Sequence, residues 1–186
     1  MDNPPASIVT PLALRAPEVI LGDSLGPAID VWNFGCIMFE LLTDYTVFEL
    51  FTFGRQRTII DDEHLIQLSE VVGPLPEHMC AHWPRYSTYF GPGGERLAAQ
   101  PFDLDESHIA RTIRAAPGPR DPPKPCALLE DKFYQYRPDD IDDTEAKQIA
   151  SLLRGILQID PRMRPSVAEL LEHPWFQVSS RSDTRG

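Results

Sequence analysis

Three short stretches of this chain combine residue types able to bind or react. His78-Met-Cys80-Ala-His82 sets metal-ligand types at close spacing, yet a structural zinc needs four ligands in a tetrahedron and no second cluster lies nearby, so no metal is expected. Gly91-Pro92-Gly93-Gly94 has the glycine content of a phosphate cradle, but no Lys-Ser/Thr follows it and no strand precedes it. Glu63 and Glu70 are seven apart, two helical turns, so in a helix both carboxylates share one face with Gln67 between them. Such a face either serves solubility alone or presents paired acids to a cationic partner. Ser180-Arg181-Ser182 near the end is short enough to be meaningless in a polar tail.

The composition narrows the setting for these groups. With 186 residues, 42% of them apolar and 24% charged, the chain is long enough for one domain with one core and is not disordered as a whole. A net charge of −11 argues against a nucleic-acid or anionic-membrane surface and for basic partners. Cys36, Cys80 and Cys126 are odd in number, far apart and without a CxxC pair, which suits reduced thiols in the cytoplasm or nucleus rather than a disulfide framework. The start, Met-Asp-Asn-Pro-Pro, has no signal-peptide character and no run approaches a membrane span, so a soluble, unexported protein is expected.

The elements that must position these residues follow from periodicity and punctuation. Residues 1–11, Pro-rich and polar, should enter as an extended segment. Val31, Trp32, Phe34, Ile37, Met38, Phe39, Leu41 and Leu42 place apolar groups on almost every face of a helix over Ala28–Thr43, which predicts a central, buried element. A second helix, about Glu63 to Val72, has Leu65, Leu68 and Val72 on one side, begins after Asp61-Asp62 and stops at Gly73-Pro74; it should lie half exposed. Residues 74–141 hold many of the 19 prolines and predict only short helical pieces, one of them near Ser107–Arg114, in either a mobile loop or a partly ordered insert. Order should resume at Asp142, an N-cap carboxylate ahead of Ile149, Leu152, Leu153, Ile156 and Leu157, with Asp160-Pro161 closing that helix. Ser166-Val-Ala-Glu169 reads as a capping box for a short helix that His173-Pro174 ends, and Gln177 to Gly186 as a disordered tail.

Three segments taken together resemble the C-terminal lobe of a eukaryotic protein kinase: Leu12–Gly22 (LALRAPEVILG), Ala28–Thr43 (AIDVWNFGCIMFELLT) and Leu152–Phe176 (LLRGILQIDPRMRPSVAELLEHPWF). Ala16-Pro17-Glu18, Asp30-Val-Trp with Gly35, then Asp160-Pro with Arg164-Pro, in that order and spacing, carry the resemblance. LALRAPEV, the Asp61-Asp-Glu-His-Leu helix ending in Gly73-Pro-Leu-Pro, and the long insert are most similar to the SR-protein-kinase-like Ser/Thr kinases, particularly fungal members.

The resemblance implies a mainly α fold, a kinase C-lobe over about residues 12–176, with residues 1–11 the end of an activation segment and the N-lobe and catalytic loop absent. The Gly-rich loop, strand Lys, catalytic Asp, Asn and metal-holding Asp that kinases use for phosphoryl transfer all precede Ala-Pro-Glu in the family, and only some 15 residues precede it here. No catalytic, cofactor-binding or metal residue is therefore expected in this chain, although the full-length family uses Mg-ATP. The implied roles are a structural ion pair between Glu18 and Arg164, an anchor at Asp30 on the central helix, and a peptide-positioning ledge at Leu14 and Arg15. The ledge departs from the family: Pro11 stands at the usual threonine position, Thr10 falls one place early, and Leu14 replaces a common Tyr. Glu63 and Glu70 match an acidic pair that docks Arg/Ser-rich peptide through guanidinium–carboxylate pairing. A domain so incomplete should also expose an apolar face able to self-associate. Two functions fit: part of an SR-protein-type kinase, or a non-catalytic module or decoy for basic peptides.

Overall fold

A computed structural model of the chain describes residues 10–23, 25–104 and 121–179. Among them the fold is mainly helical, with no strand and a single isolated bridge between Phe90 and Arg96. After a 3-10 turn at Leu12–Leu14 come α1 (Pro17–Leu21), α2 (Ala28–Thr43), α3 (Arg57–Val71), α4 (Glu77–Cys80), α5 (Tyr86–Tyr89), α6 (Pro101–Leu104), α7 (Leu129–Tyr136), α8 (Asp143–Ile156), a second 3-10 turn at Pro161–Met163, α9 (Val167–Leu171) and α10 (Pro174–Ser179).

The pairing of α2 with α8 organises the core. Trp32, Cys36 and Phe39 of α2 meet Ile149, Leu152, Leu153 and Ile156 of α8 in one continuous buried cluster. Gly35 permits that approach: a Cβ there would lie 2.4 Å from Ile156 Cγ2 and 2.9 Å from Leu157 Cδ2, nearer than packed atoms tolerate. α2 is not buried all round, however. Phe34, Ile37 and Leu41, at i, i+3 and i+7 on one face of the helix, are 41%, 43% and 79% exposed.

α8 begins as its capping residue dictates, with the Asp142 carboxylate accepting from the Thr144 and Glu145 amides at 2.7 and 2.9 Å. It ends at Ile156, before the Asp160-Pro161 pair. The Ser166–Glu169 capping box is formed in both directions. Pro174 ends nothing further; it starts α10, a position where its missing N–H costs no hydrogen bond, and Gln177 belongs to that helix rather than to a tail. Residues 180–186, with Ser180-Arg181-Ser182, lie outside the described residues, as do residues 1–9 and the helix expected near Ser107–Arg114.

The second helix departs from its expected bounds and exposure. α3 starts at Arg57, six residues before Glu63, since Ile59 and Ile60 extend its buried side backwards. Much of its length is covered: Asp62, His64, Leu65, Ile66 and Leu68 are all buried. Of the two alternatives for residues 74–141, the described parts follow the ordered one, with short helices and with Leu75, Met79, Trp83, Tyr89, Phe90, Leu129 and Phe133 buried in the core. Apolar anchors this closely packed outweigh the disordering effect of the prolines between them.

Candidate functional site

The candidate site is organised around a buried tether. Glu18, at the first turn of α1, is 1% exposed and Arg164 is 8% exposed. Arg164 Nη1 and Nη2 donate to the two Glu18 carboxylate oxygens at 2.6 and 2.8 Å. The remaining donors reach the Gln158, Ala28 and Ile159 carbonyl oxygens at 2.8, 2.9 and 3.2 Å, and the guanidinium lies 4.9 Å from the Trp32 ring centroid. All five N–H groups of the fork are thereby used, and the start of α1 is pinned to the start of α2 and to the segment after α8.

Just before this tether the 3-10 turn forms a ledge. Leu14 is half-buried against the core, and Arg15 Nε donates to the Thr10 carbonyl at 3.2 Å, holding the turn's entrance. A cleft of about 520 Å³ opens between Leu12 and Ala13 of the ledge, Phe48, Phe51 and Thr52 of the α2–α3 loop, and Glu63 of α3. Asp30 sits elsewhere, exposed in the first turn of α2 beside a separate apolar cleft of about 370 Å³ with Val31, Phe34, Val167, Leu171 and Phe176.

Glu63, Gln67 and Glu70 line one side of a third cleft, about 200 Å³, closed opposite by Arg96, Lys124 and Cys126. Helical register puts the two carboxylates on one face, and the fold then gives each a guanidinium. Arg55 Nη1 donates to Glu63 Oε2. Arg96 Nε faces Glu70 Oε1 at 3.4 Å, and the Cys126 amide donates to Glu70 Oε2 at 3.0 Å. Gln67 between them exchanges two hydrogen bonds with the Glu49 backbone, 2.9 and 2.6 Å, fastening the α2–α3 loop to the helix. Burial pushes the Glu63 carboxyl above its usual range against the opposing pull of Arg55. Glu63 lines this cleft and the ledge cleft, so the ledge and the α3 groove meet at this residue.

The residues that hold this surface include some that periodicity does not reveal. Asp62, 1% exposed, accepts from Trp83 Nε1 at 2.8 Å, from Tyr89 Oη at 2.8 Å and from the Arg85 guanidinium. It fastens α3 to α5 and the turn before it. The signal for this was a carboxylate in register with Ile59 and Ile66, on the apolar side of the helix. The Cys126 thiol, at the groove rim, is pushed up to about 11 by burial, with Glu70 adding to the shift.

The other clusters go separate ways. His78 Nε2 lies 2.9 Å from Arg162 Nη2, Cys80 Sγ donates to the Leu75 carbonyl at 3.4 Å, and His82 faces Asp23 at 3.7 Å. No group of three His, Cys, Asp or Glu side chains converges among the described residues. The Gly91–Gly94 turn wraps its own anion: the Glu95 carboxylate accepts from the Gly93 amide at 2.9 Å, and a Cβ on Gly91 would fall 2.0 Å from Glu95 Oε1. Among the described residues no helix is long and apolar enough to cross a membrane.

Comparison with known proteins gives this geometry a family. Residues 2–176 match the family model described as protein kinase domain. The chain is 33% identical over 94% of its length to the serine/threonine-protein kinase AFC3 of Arabidopsis thaliana, covering 38% of that protein. It is 31% identical over 88% of its length to the serine/threonine-protein kinase SKY1 of Saccharomyces cerevisiae, covering 18% of that protein. To the human dual specificity protein kinase CLK4 it is 29% identical over 95% of its length, covering 31%. A solved kinase domain aligns with a TM-score of 0.59 and 26% identity over 94% of this chain and 43% of its own. The chain thus spans less than half the length of each of these proteins, and its helical arrangement matches a kinase C-terminal lobe. Taken with the buried Glu18–Arg164 tether and the Asp30–Gly35 helix it supports, the match means that this chain belongs to the protein kinase domain family.

Proposed function

We propose that this chain is the substrate-gripping part of a Ser/Thr protein kinase domain of the SR-protein-kinase type, whose full form transfers phosphate from ATP to Ser in Arg/Ser-rich proteins. The 186-residue chain docks such basic segments without itself transferring phosphate. One observation carries the docking reading: each of the two α3 carboxylates, Glu63 and Glu70, already lies against a guanidinium. Groups placed to hold Arg55 and Arg96 have the chemistry to hold the arginines of a ligand. The net charge of −11 adds long-range attraction.

In this reading Mg-ATP is held by the full-length form, and the chain alone acts as a binding module.

Titration of a fluorescently labelled Arg-Ser repeat peptide tests it. Binding should be weak and fall steeply with salt, since exposed charge pairs contribute only ~0.2–1 kcal/mol each. Glu63→Gln should weaken it several-fold, whereas Asp139→Asn, on the exposed turn before α8, should change it little. A Lys-Ser peptide should bind less well, lacking the planar fork. Equal losses from both substitutions, or equal affinity for both peptides, would reduce the attraction to bulk charge.

A further inference from the structure

The two clefts that meet at Glu63 differ in charge, and the difference marks where an incoming cation is received. The α3 groove is balanced, with Glu63 and Glu70 facing Arg96 and Lys124 across it. Its two carboxylates are already paired, Glu63 with Arg55 and Glu70 with Arg96, and those arginine side chains are 6% and 9% exposed. The ledge cleft is lined by Glu49 as well as Glu63, and by no lysine, arginine or histidine among the described residues. With Glu63 neutralised by Arg55, Glu49 is left as the acid of this cleft: its carboxylate makes no hydrogen bond or ion pair among the described residues.

Glu49 is held where it stands. Its backbone N–H donates to Gln67 Oε1 at 2.9 Å and its carbonyl accepts from Gln67 Nε2 at 2.6 Å, so the residue is anchored to α3 while remaining exposed. Two positions on, Phe51 lines the same cleft, is 55% exposed and has no ring or cation partner among the described residues. Leu12, Phe48 and Leu50 make up much of the remaining wall. An arginine side chain matches all three features. Its fork pairs with a carboxylate, its flat guanidinium stacks on an open aromatic face, and its methylene stem covers apolar surface.

We propose that the ledge cleft is the arginine subsite of the docking surface: Glu49 receives a guanidinium of the basic peptide and Phe51 stacks on it, while Glu63 keeps Arg55 neutralised beside them. The proposal rests on the docking function above and names the residues that read the peptide. A free carboxylate alone would take any cation. The ring is what makes the cleft choose, because an ammonium is more strongly hydrated than a guanidinium and has no plane to lay against it. Loss of the Glu63 charge would uncover Arg55 next to the subsite, so that acid matters to binding without touching the ligand.

The test uses the full chain with the labelled Arg-Ser repeat peptide and its Lys-Ser counterpart at equal ionic strength. Glu49→Gln should weaken Arg-Ser binding at least threefold and Glu70→Gln by less, while Asp139→Asn sets the size of a bulk charge effect. Glu49→Gln keeps the side-chain length and the backbone bonds to Gln67, which guards against a folding defect. Phe51→Leu keeps apolar bulk but removes the ring, and should shrink the wild-type preference for Arg-Ser over Lys-Ser at least twofold; an unchanged preference overturns the stacking assignment. If wild type binds in a Glu63-dependent way but Glu49→Gln costs no more than Asp139→Asn, docking stands and the ledge subsite falls. A loss from Glu70→Gln as large as that from Glu49→Gln also overturns it, placing the arginine of the peptide in the α3 groove instead. If wild type binds neither peptide at any salt concentration, the docking function falls and this proposal with it.

Discussion

Removing Arg164 leaves Glu18 charged, 1% exposed and without its counter-ion, and breaking a buried pair at one partner costs roughly 3–5 kcal/mol. Arg164→Ala should lower the urea midpoint accordingly, and Arg164→Lys by less, because an ammonium keeps the charge while losing the fork. Exchanging the pair, Glu18→Arg with Arg164→Glu, should recover little: a carboxylate at 164 would face the Gln158, Ala28 and Ile159 carbonyl oxygens that Arg164 now satisfies. Full recovery in a double-mutant cycle would mean those carbonyls do not matter. His64 gives a second residue-scale prediction. It is 2% exposed, its ring centroid lies 5.0 Å from that of Phe48, and its Nε2 has no hydrogen-bond partner. Burial, with Arg57 a smaller contributor, pushes its pKa down to about 3. The unfolded chain takes up this proton near pH 6.5 and the folded chain does not, so stability falls as pH drops below 6.5, a loss that continues toward the folded pKa. Between pH 6.5 and 5.5 the loss should be about 1 kcal/mol. Denaturation of wild type and His64→Phe across that range isolates it, since the variant should lack this slope; parallel pH profiles would show that His64 is protonated in the fold.

At the scale of elements, α3 depends on side chains that reach it from distant segments. Asp62 gathers Trp83, Arg85 and Tyr89, so Asp62→Ala would strand a buried indole N–H and phenol with no acceptor, each costing about 1–3 kcal/mol. Hydrogen exchange should then show residues 77–97 losing protection together while α2 and α8 keep theirs; uniform loss across the chain would mean that the region is not a separate unit. α3 also shows what was legible in sequence. The register of Glu63, Gln67 and Glu70 follows from helical spacing alone, as do the bounds of α2 and the caps at Asp142 and Ser166. The start of α3 was not legible, because Asp61-Asp62 imitates a capping signal while Asp62 is a buried acceptor and Gln56 makes no side-chain cap. Nor were Arg55 and Arg96 as partners of the acidic pair, since loop geometry and tertiary packing bring them there. Leu75, Met79, Trp83, Tyr89 and Phe90 anchor their region singly among prolines and short turns, and residues without a period give no sign of the core they join.

At the scale of the whole molecule, two surface properties oppose each other. Phe34, Ile37 and Leu41 of α2 are 41%, 43% and 79% exposed, and Val167 and Leu171 of α9 are 64% and 57% exposed. Phe34, Val167 and Leu171 line the same cleft of about 370 Å³, and Ile37 and Leu41 follow Phe34 at i+3 and i+7 along one face of α2. Burial of apolar area yields about 25 cal/mol per Å², which favours covering it with a second copy. The net charge of −11 works the other way, and its reach shrinks to a Debye length of ~8 Å near physiological salt. Self-association of the purified chain should therefore strengthen as salt rises, opposite to the salt response expected for Arg-Ser peptide binding at Glu63. Sedimentation velocity at low and high salt, with a hydrophobic dye as an independent report of exposed surface, measures both terms. Ile37→Glu and Leu41→Glu should each abolish the salt-strengthened species and reduce the dye signal, while peptide affinity at α3 stays within about twofold because the substitutions lie on the outer face of α2. A chain that remains monomeric at every salt concentration and binds no dye would show that this face is not an association surface.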